Sequence, residues 1–205
     1  MTRQHLACGL ALLAASALPA PAAAESYASL SLGEGTFKGL RPLNFDGSVS
    51  NVREDDTEQV LRFALGSPAG DNLAFELGYS DLGEASATGV SDGSQSGAGG
   101  WQAGPVGARL KIDGLDISLV GRMPLGESFA LFARGGLFLW QVESTSRDSG
   151  GATRFNDEGT DPCFGAGAQL DLGSTVSLRG EFSRYTIDNV DVDALSLSAI
   201  VRFDG

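Results

Sequence analysis

Ser177–Tyr185 reads SLRGEFSRY, and it alternates. Ser177, Arg179, Glu181, Ser183 and Tyr185 share one parity; Leu178, Gly180, Phe182 and Arg184 share the other. A period of two marks a strand with two unlike faces. The Arg179–Glu181 pair is the constraint. Two charges in mid-strand, with apolar residues on the opposite face, tolerate few surroundings. Seven further stretches carry the same period: 27–36, 58–66, 73–82, 115–123, 129–141, 163–171 and 194–203. In each, one parity is mainly Leu, Phe, Ile and Ala. The other is rich in Gly and Ser, and across six of the strands it carries Arg62, Glu76, Asp116, Arg122, Arg134, Arg179, Glu181 and Arg202.

Alternation suits two kinds of closed sheet. A soluble barrel is apolar inside and polar outside; a membrane barrel is the reverse. The charged parity decides between them. A soluble surface would be rich in Lys and Glu along these strands, and this one is rich in Gly and Ser. Small residues leave room for a few long side chains inside an eight-stranded barrel, whose interior is just wide enough to be filled. Facing hydrocarbon, each Arg at the midplane would cost about 2–4 kcal/mol. The eight charges therefore face the lumen and pair there, while Leu178, Gly180 and Phe182 face lipid. Arg184, on the lipid parity near the strand's outer end, reaches headgroups. Phe129 and Phe203 at one rim, with Tyr79 and Phe164 toward the other, suit interfacial girdles. Tyr27, Trp140 and Tyr185 fall on the inward parity. The fold expected is all-β: an eight-stranded antiparallel up-and-down transmembrane β-barrel occupying 25–205.

The connections agree with that plan. SPAGDN, PLGES and LGST are short. The joins after the first strand, through SDGSQSGAGG and through STSRDSGGATRFNDEGT are long, and TIDNVDVD is modest. Tight turns at one rim and long loops at the other are the layout of outer-membrane barrels. One stretch departs from it. In ARLKIDGLDISLV the apolar parity flips at Asp113-Gly114, which predicts a bulge or kink there, with a separate hairpin as the alternative.

The first 24 residues have a basic Arg3, an apolar run from Leu6 to Leu18 and a small-residue end at Ala22–Ala24. This is a secretory signal peptide, and the run is too short for a helical anchor of about 20 residues. It directs the chain through the periplasm to the outer membrane of a Gram-negative bacterium. Composition narrows the chemistry. The net charge is −12, and loss of the signal removes Arg3 alone, so the chain is unsuited to nucleic acid. The one histidine is His5, inside the signal. Without imidazole the mature chain lacks the commonest general base and metal ligand, so no enzyme activity, cofactor or metal is expected. NVREDDTE, RFNDEGTD and the Asp188, Asp191, Asp193 group lack the Gly and distal Glu of a calcium loop and read as solvated. Cys163 reads as a small buried side chain.

FELGYSDLG, LVGRMPLGESFALFARGGLFLW and FGAGAQLDL with VSLRGEFSRY, in that order, resemble the OmpA-like outer-membrane β-barrel family. The resemblance implies a lumen cluster that plugs or gates the interior, with Glu76 of FELGY, Arg134 of FARGG, and Arg179 and Glu181 of LRGEF in it. The family's acidic position in the sixth strand is Gln169 here. A family lysine is Val120, with Arg122 on the same face instead, so the cluster is expected to be rewired. Phe203 resembles the closing aromatic read by the outer-membrane assembly machinery, although Asp204 and Gly205 follow it. The expected partners are outer-membrane lipid, lipopolysaccharide and that machinery, with the barrel a monomer. The function expected is structural, with the cluster as packing. A narrow gated pore and a surface adhesin acting through the outer loops are the alternatives.

Overall fold

Backbone inside a bilayer must find all its hydrogen bonds within the sheet, and a sheet without edges is how strands achieve this. The computed structural model describes residues 25–39, 45–96, 100–188 and 190–203; the expected signal peptide 1–24 and Asp204–Gly205 lie outside them. Nine strands follow in order: β1 Ser26–Lys38, β2 Val49–Asp55, β3 Thr57–Gly70, β4 Leu73–Ser91, β5 Gly104–Pro124, β6 Phe129–Asp148, β7 Gly151–Asp171, β8 Val176–Ile187 and β9 Val190–Phe203. No helix occurs among the described residues. Consecutive strands from β3 to β9 pair antiparallel with one another, and β1 pairs with both β3 and β9. The ladder thus closes on itself.

The eight expected strands appear as nine because part of the join after the first strand, expected as a long loop, is itself a strand, β2. β2 lies along upper β4, from Val49 opposite Ser91 to Asp55 opposite Ser86. β3 lies along lower β4, from Leu61 opposite Asp81 to Gly70 opposite Leu73. Asp56 is the break, and its carbonyl accepts the Phe37 N–H at 2.8 Å. The barrel therefore has eight staves, one of them in two pieces.

The apolar parity faces out. Leu30 and Leu32 on β1, Phe63 on β3, Leu77 on β4, Ile117 on β5, Leu137 on β6, Phe182 on β8 and Leu197 on β9 are all exposed. These leucines, isoleucines and phenylalanines form one belt around the barrel. Such a large contiguous apolar surface is stable against hydrocarbon and not against water.

Above the belt the polarity inverts. On β5, every even residue from Val106 to Val120 points inward. Asp116 and Ser118 point inward just below Gly114, and Leu110 and Ile112 point inward just above it. Arg109 and Lys111 are outward at that upper level. The parity flip at Asp113-Gly114 is thus a change of solvent along a straight strand, neither bulge nor hairpin. The bulge sits opposite, in β4. Between the pairs Asp81–Asp113 and Glu84–Lys111, β4 spends one residue more than β5. Gly83 takes φ +89° there, its N–H donates to Asp81 Oδ1 at 3.0 Å, and the inward parity of β4 switches from even to odd.

The expected long loops are largely strand. β6 and β7 continue as a paired ribbon up to Asp148 opposite Gly151, joined by Ser149-Gly150 alone. β8, in contrast, pairs with β7 only from Asp171 to Cys163. The rim opposite the short turns is therefore uneven: high over β4–β7, low over β8, β9 and β1. Asp148 caps the tall ribbon. Its carboxylate accepts the N–H groups of Gln102 at 3.0 Å, Gly150 at 2.8 Å and Gly151 at 3.1 Å. The Gln102 N–H foremost, with those of Gly150 and Gly151, holds its pKa below the ordinary value.

Two outcomes follow. A Cβ at Gly83 would stand 2.7 Å from that of Glu58, whereas one at Gly180 would meet nothing within 4 Å. Gly83→Val is expected to lose about 1–3 kcal/mol, from forcing a branched residue into positive φ, and Gly180→Ala nothing, by urea titration of the refolded barrel. The Asp148 cap is complete above the unfolded carboxyl's pKa of about 3.9 and is lost as pH falls through the lowered folded value. The amide shifts of Gln102, Gly150 and Gly151 should titrate together, below pH 3.9, by NMR.

Candidate functional site

The barrel interior is a stack of three layers. The lowest, toward the short turns, contains Tyr27, Ala74, Val120, Phe132 and Ile200. The uppermost is larger and apolar, built from residues such as Leu82, Ile112, Phe138, Trp140, Ile187 and Val192. Between them lie charges.

Six of the eight sequence-derived lumen residues meet in that middle layer. Arg62 of β3 donates to Asp116 of β5 through Nε and Nη2, at 2.9 and 2.7 Å, and to Glu76 of β4 at 3.0 Å. Arg179 of β8 donates to the other oxygen of Glu76 at 2.8 Å. Arg134 of β6 donates to Glu181 of β8 at 2.6 Å and has Asp116 at 3.7 Å. Three guanidiniums and three carboxylates thus form one chain, Glu181–Arg134–Asp116–Arg62–Glu76–Arg179, with zero net charge. All six side chains are buried. Four of the five links are charge-assisted hydrogen bonds, while Arg134 and Asp116 form a looser ion pair; the Arg62–Asp116 contact is bidentate, the geometry that gives the strongest of such bonds.

Neutral groups complete the network. Tyr27 donates to Glu76 at 2.8 Å, Ser118 donates to Asp116 at 3.1 Å, and Tyr185 lies 3.1 Å from Arg134 Nη2. Gln169 accepts from Arg179 at 3.1 and 3.3 Å, where a carboxylate was the pattern suggested by the resemblance. The Arg179 guanidinium also sits 4.5 Å from the Phe132 ring centroid, on top of the lower layer. Glycine supplies the space. A Cβ at Gly78 would stand 2.6 Å from Asp116 Oδ1, and one at Gly165 would stand 2.3 Å from Glu181 Oε1.

Arg122 and Arg202 are not in this network. Both lie at the short-turn rim around Asp171, at 3.2 and 2.7 Å. Ser177 and Gln169 also donate to Asp171, at 2.6 and 2.8 Å. Their parity is inward, but their strands reach the mouth two layers below the other charges. Sequence reasoning placed Tyr27 and Tyr185 on the inward parity without joining them to the charges, and passed over Asp171. All three lie on the inward parity, where a polar tip needs a partner, and that was the available signal. Phe203 lies outward and exposed at the same rim.

A closed antiparallel ladder, a leucine-rich exterior and a buried ionic interior describe a barrel built for a bilayer. The profile of the outer membrane protein beta-barrel domain matches residues 8–203. The chain belongs to that family. Its fold is shared by solved outer-membrane barrels at low identity. Neisserial surface protein A is 12% identical, with 87% of this chain and 97% of that chain covered and a TM-score of 0.56. OprG from Pseudomonas aeruginosa is 12% identical, with 89% and 97% covered and a TM-score of 0.55. Ail, the attachment invasion locus protein of Yersinia pestis, is 15% identical, with 87% and 99% covered and a TM-score of 0.50. At such identities the likeness concerns the fold alone. No curated protein sequence matches the chain. Membership places this outer-membrane barrel in the envelope of Gram-negative bacteria, among proteins that are generally not enzymes.

Removing one partner from a buried ion pair leaves the other uncompensated, at about 3–5 kcal/mol. Arg134→Met should destabilise the barrel by about that much, and adding Glu181→Leu should recover part of it. Arg122→Gln, at the half-exposed rim, should cost no more than about 1 kcal/mol. Urea midpoints of the gel-mobility shift between folded and unfolded barrel provide the comparison.

Proposed function

We propose that this chain is a structural, non-conducting barrel of the outer membrane. The observation that carries the reading is the stacking of the lumen: a neutral, fully paired ionic layer held between two packed apolar layers. Ions would have to break charge-assisted bonds and then cross apolar side chains such as Phe138 and Ile112, both fully buried. The network fills the wide middle of the barrel and sets the register of the strands that contribute to it.

In this reading residues 1–24 direct export through the periplasm and are removed. The rim of short turns faces the periplasm and the tall β4–β7 wall faces outward, the arrangement general to such barrels. Outer-membrane lipid and lipopolysaccharide surround the belt, and Arg184, bonded to Asp193 at 2.5 and 2.7 Å, meets the headgroups. Phe203, outward at the periplasmic rim, is the aromatic that the assembly machinery reads. The barrel acts as a monomer and does no chemistry: the described residues have no imidazole, and their buried carboxylates are engaged by arginines.

The test is single-channel recording of the refolded mature protein in a planar bilayer. The expected result is silence, from the wild type and from Arg179→Ala alike, since the apolar layer above remains packed. Discrete openings in the wild type that change when Arg179 or Glu76 is neutralised would replace this reading with a gated pore.

A further inference from the structure

The low side of the outer rim leaves part of the lumen open to water. Above Cys163, β7 pairs with β6 on one side and, among the described residues, with no strand on the other, because β8 ends at Ile187. The inner face of upper β7 and β6 therefore looks across an open mouth toward the β8–β9 turn. A cavity of about 270 Å³ lies there.

Its floor is apolar. Leu110, Ile112, Ile187 and Val190 form it, and each is buried as part of the upper lumen layer. Two aromatics stand at its sides, Trp140 and Phe155. Phe155 is 63% exposed. It lies well above the lipid belt and on the inward parity of β7, so neither lipid nor core accounts for it. A large aromatic left facing water in a concave site is a feature of binding surfaces. Trp140 is held in place: its Nε1–H donates to Asp161 at 2.8 Å, and Asp161 also accepts the Asp188 N–H at 3.2 Å. This ties β7 to the β8–β9 turn and makes the side wall rigid.

Among the described residues the charged groups at the cavity are all acidic. Asp157 and Asp188 line it, Asp161 stands behind the indole, and none of the described lining residues is Lys or Arg. Asp157 makes no ion pair among the described residues. Aromatic faces and carboxylates around an apolar floor select against anions and favour a cation that carries its own apolar body. Aromatic ring faces attract such a cation, and the acidic surroundings raise its local concentration. The volume is near the lower end of ordinary ligand sites, about 300–1,000 Å³, so it takes a benzyl-sized body and not a lipid. The packed layers below make the cavity blind-ended.

We propose that the outer mouth of this barrel binds small apolar monocations, such as quaternary or protonated amines with a short hydrocarbon or aromatic body. Trp140 and Phe155 form the walls and Asp157 supplies the counter-charge. This goes beyond the structural role and stands whether or not the lumen conducts.

The experiment uses the refolded mature barrel in zwitterionic nanodiscs, with empty discs subtracted and folding checked by unboiled gel mobility. Three probes of similar shape are titrated against tryptophan fluorescence: benzyltrimethylammonium, its neutral carbon isostere neopentylbenzene, and phenylmethanesulfonate. The expected result is a saturable change with the cation at an affinity at least tenfold above the isostere, and none with the sulfonate. Asp157→Asn should remove most of that preference and Phe155→Ala should weaken the cation several-fold. Glu158→Gln, on the outer face of the same strand, should change neither. No saturable response in folded wild type, equal binding of the isostere, or an equal effect of Glu158→Gln and Asp157→Asn would each overturn the proposal.

Discussion

Arg62 grips Asp116 with two hydrogen bonds in a place that water does not reach. Everything around that contact serves to keep it neutral and complete. A lone guanidinium in the lumen would be far too costly, so Glu76 lies beside it, Arg179 balances Glu76, and Arg134 with Glu181 completes the count. The residues come from β3, β4, β5, β6 and β8, so the network can exist only when the ladder is closed and in register. A one-residue slip of β8 would turn Arg179 and Glu181 into lipid and bring Leu178 and Gly180 inward. The glycines follow from the same demand. Gly78 and Gly165 hold space that a guanidinium and a carboxylate occupy.

The second constraint is that this barrel meets two solvents along its height. In the bilayer it must be apolar outside, and above it must be polar outside. The strands run straight through the boundary. On β5 the backbone parity never changes, and the side chains exchange character at Gly114 instead. On β4 the change is met by a bulge at Leu82–Gly83, which turns the strand by one residue and brings Leu82 and Ala85 inward together. The upper barrel therefore has an ordinary apolar core, while the lower barrel has an ionic one. In the proposed reading these layers close the lumen, and the uneven outer rim leaves the outer mouth open to water.

Much of this was legible along the chain. The outward and inward parities of β1, β3, β5, β6, β8 and β9 follow from Leu, Ile and Phe alternating with Gly, Ser and charge, a pattern with one stable sense in a bilayer. The short turns were legible from Pro, Gly, Asp and Asn. Less legible were the upper strands. STSRDSGGATRFNDEGT is polar and Gly-rich, which reads as a loop, yet it forms a ribbon because its backbone pairs across a two-residue turn capped by Asp148. The parity flip at Asp113-Gly114 was visible, but its meaning was not, since a period-two pattern cannot distinguish a shifted backbone from a changed solvent.

The sequence by itself determined the fold, the side of each strand that meets lipid, and the fact that charges of both signs share the lumen. These are properties of local periodicity and of the cost of charge in hydrocarbon, and both act residue by residue. Only the tertiary structure decided which charges touch. Arg122 and Arg202 share the inward parity of Arg62 and Arg134 but stand at another height, and height depends on how each strand is staggered against its neighbours. The same stagger placed Phe155, Trp140 and Asp157 around one cavity, although they belong to two strands and no motif links them. Registration between strands is a long-range property, and a single strand's alternation carries no record of it.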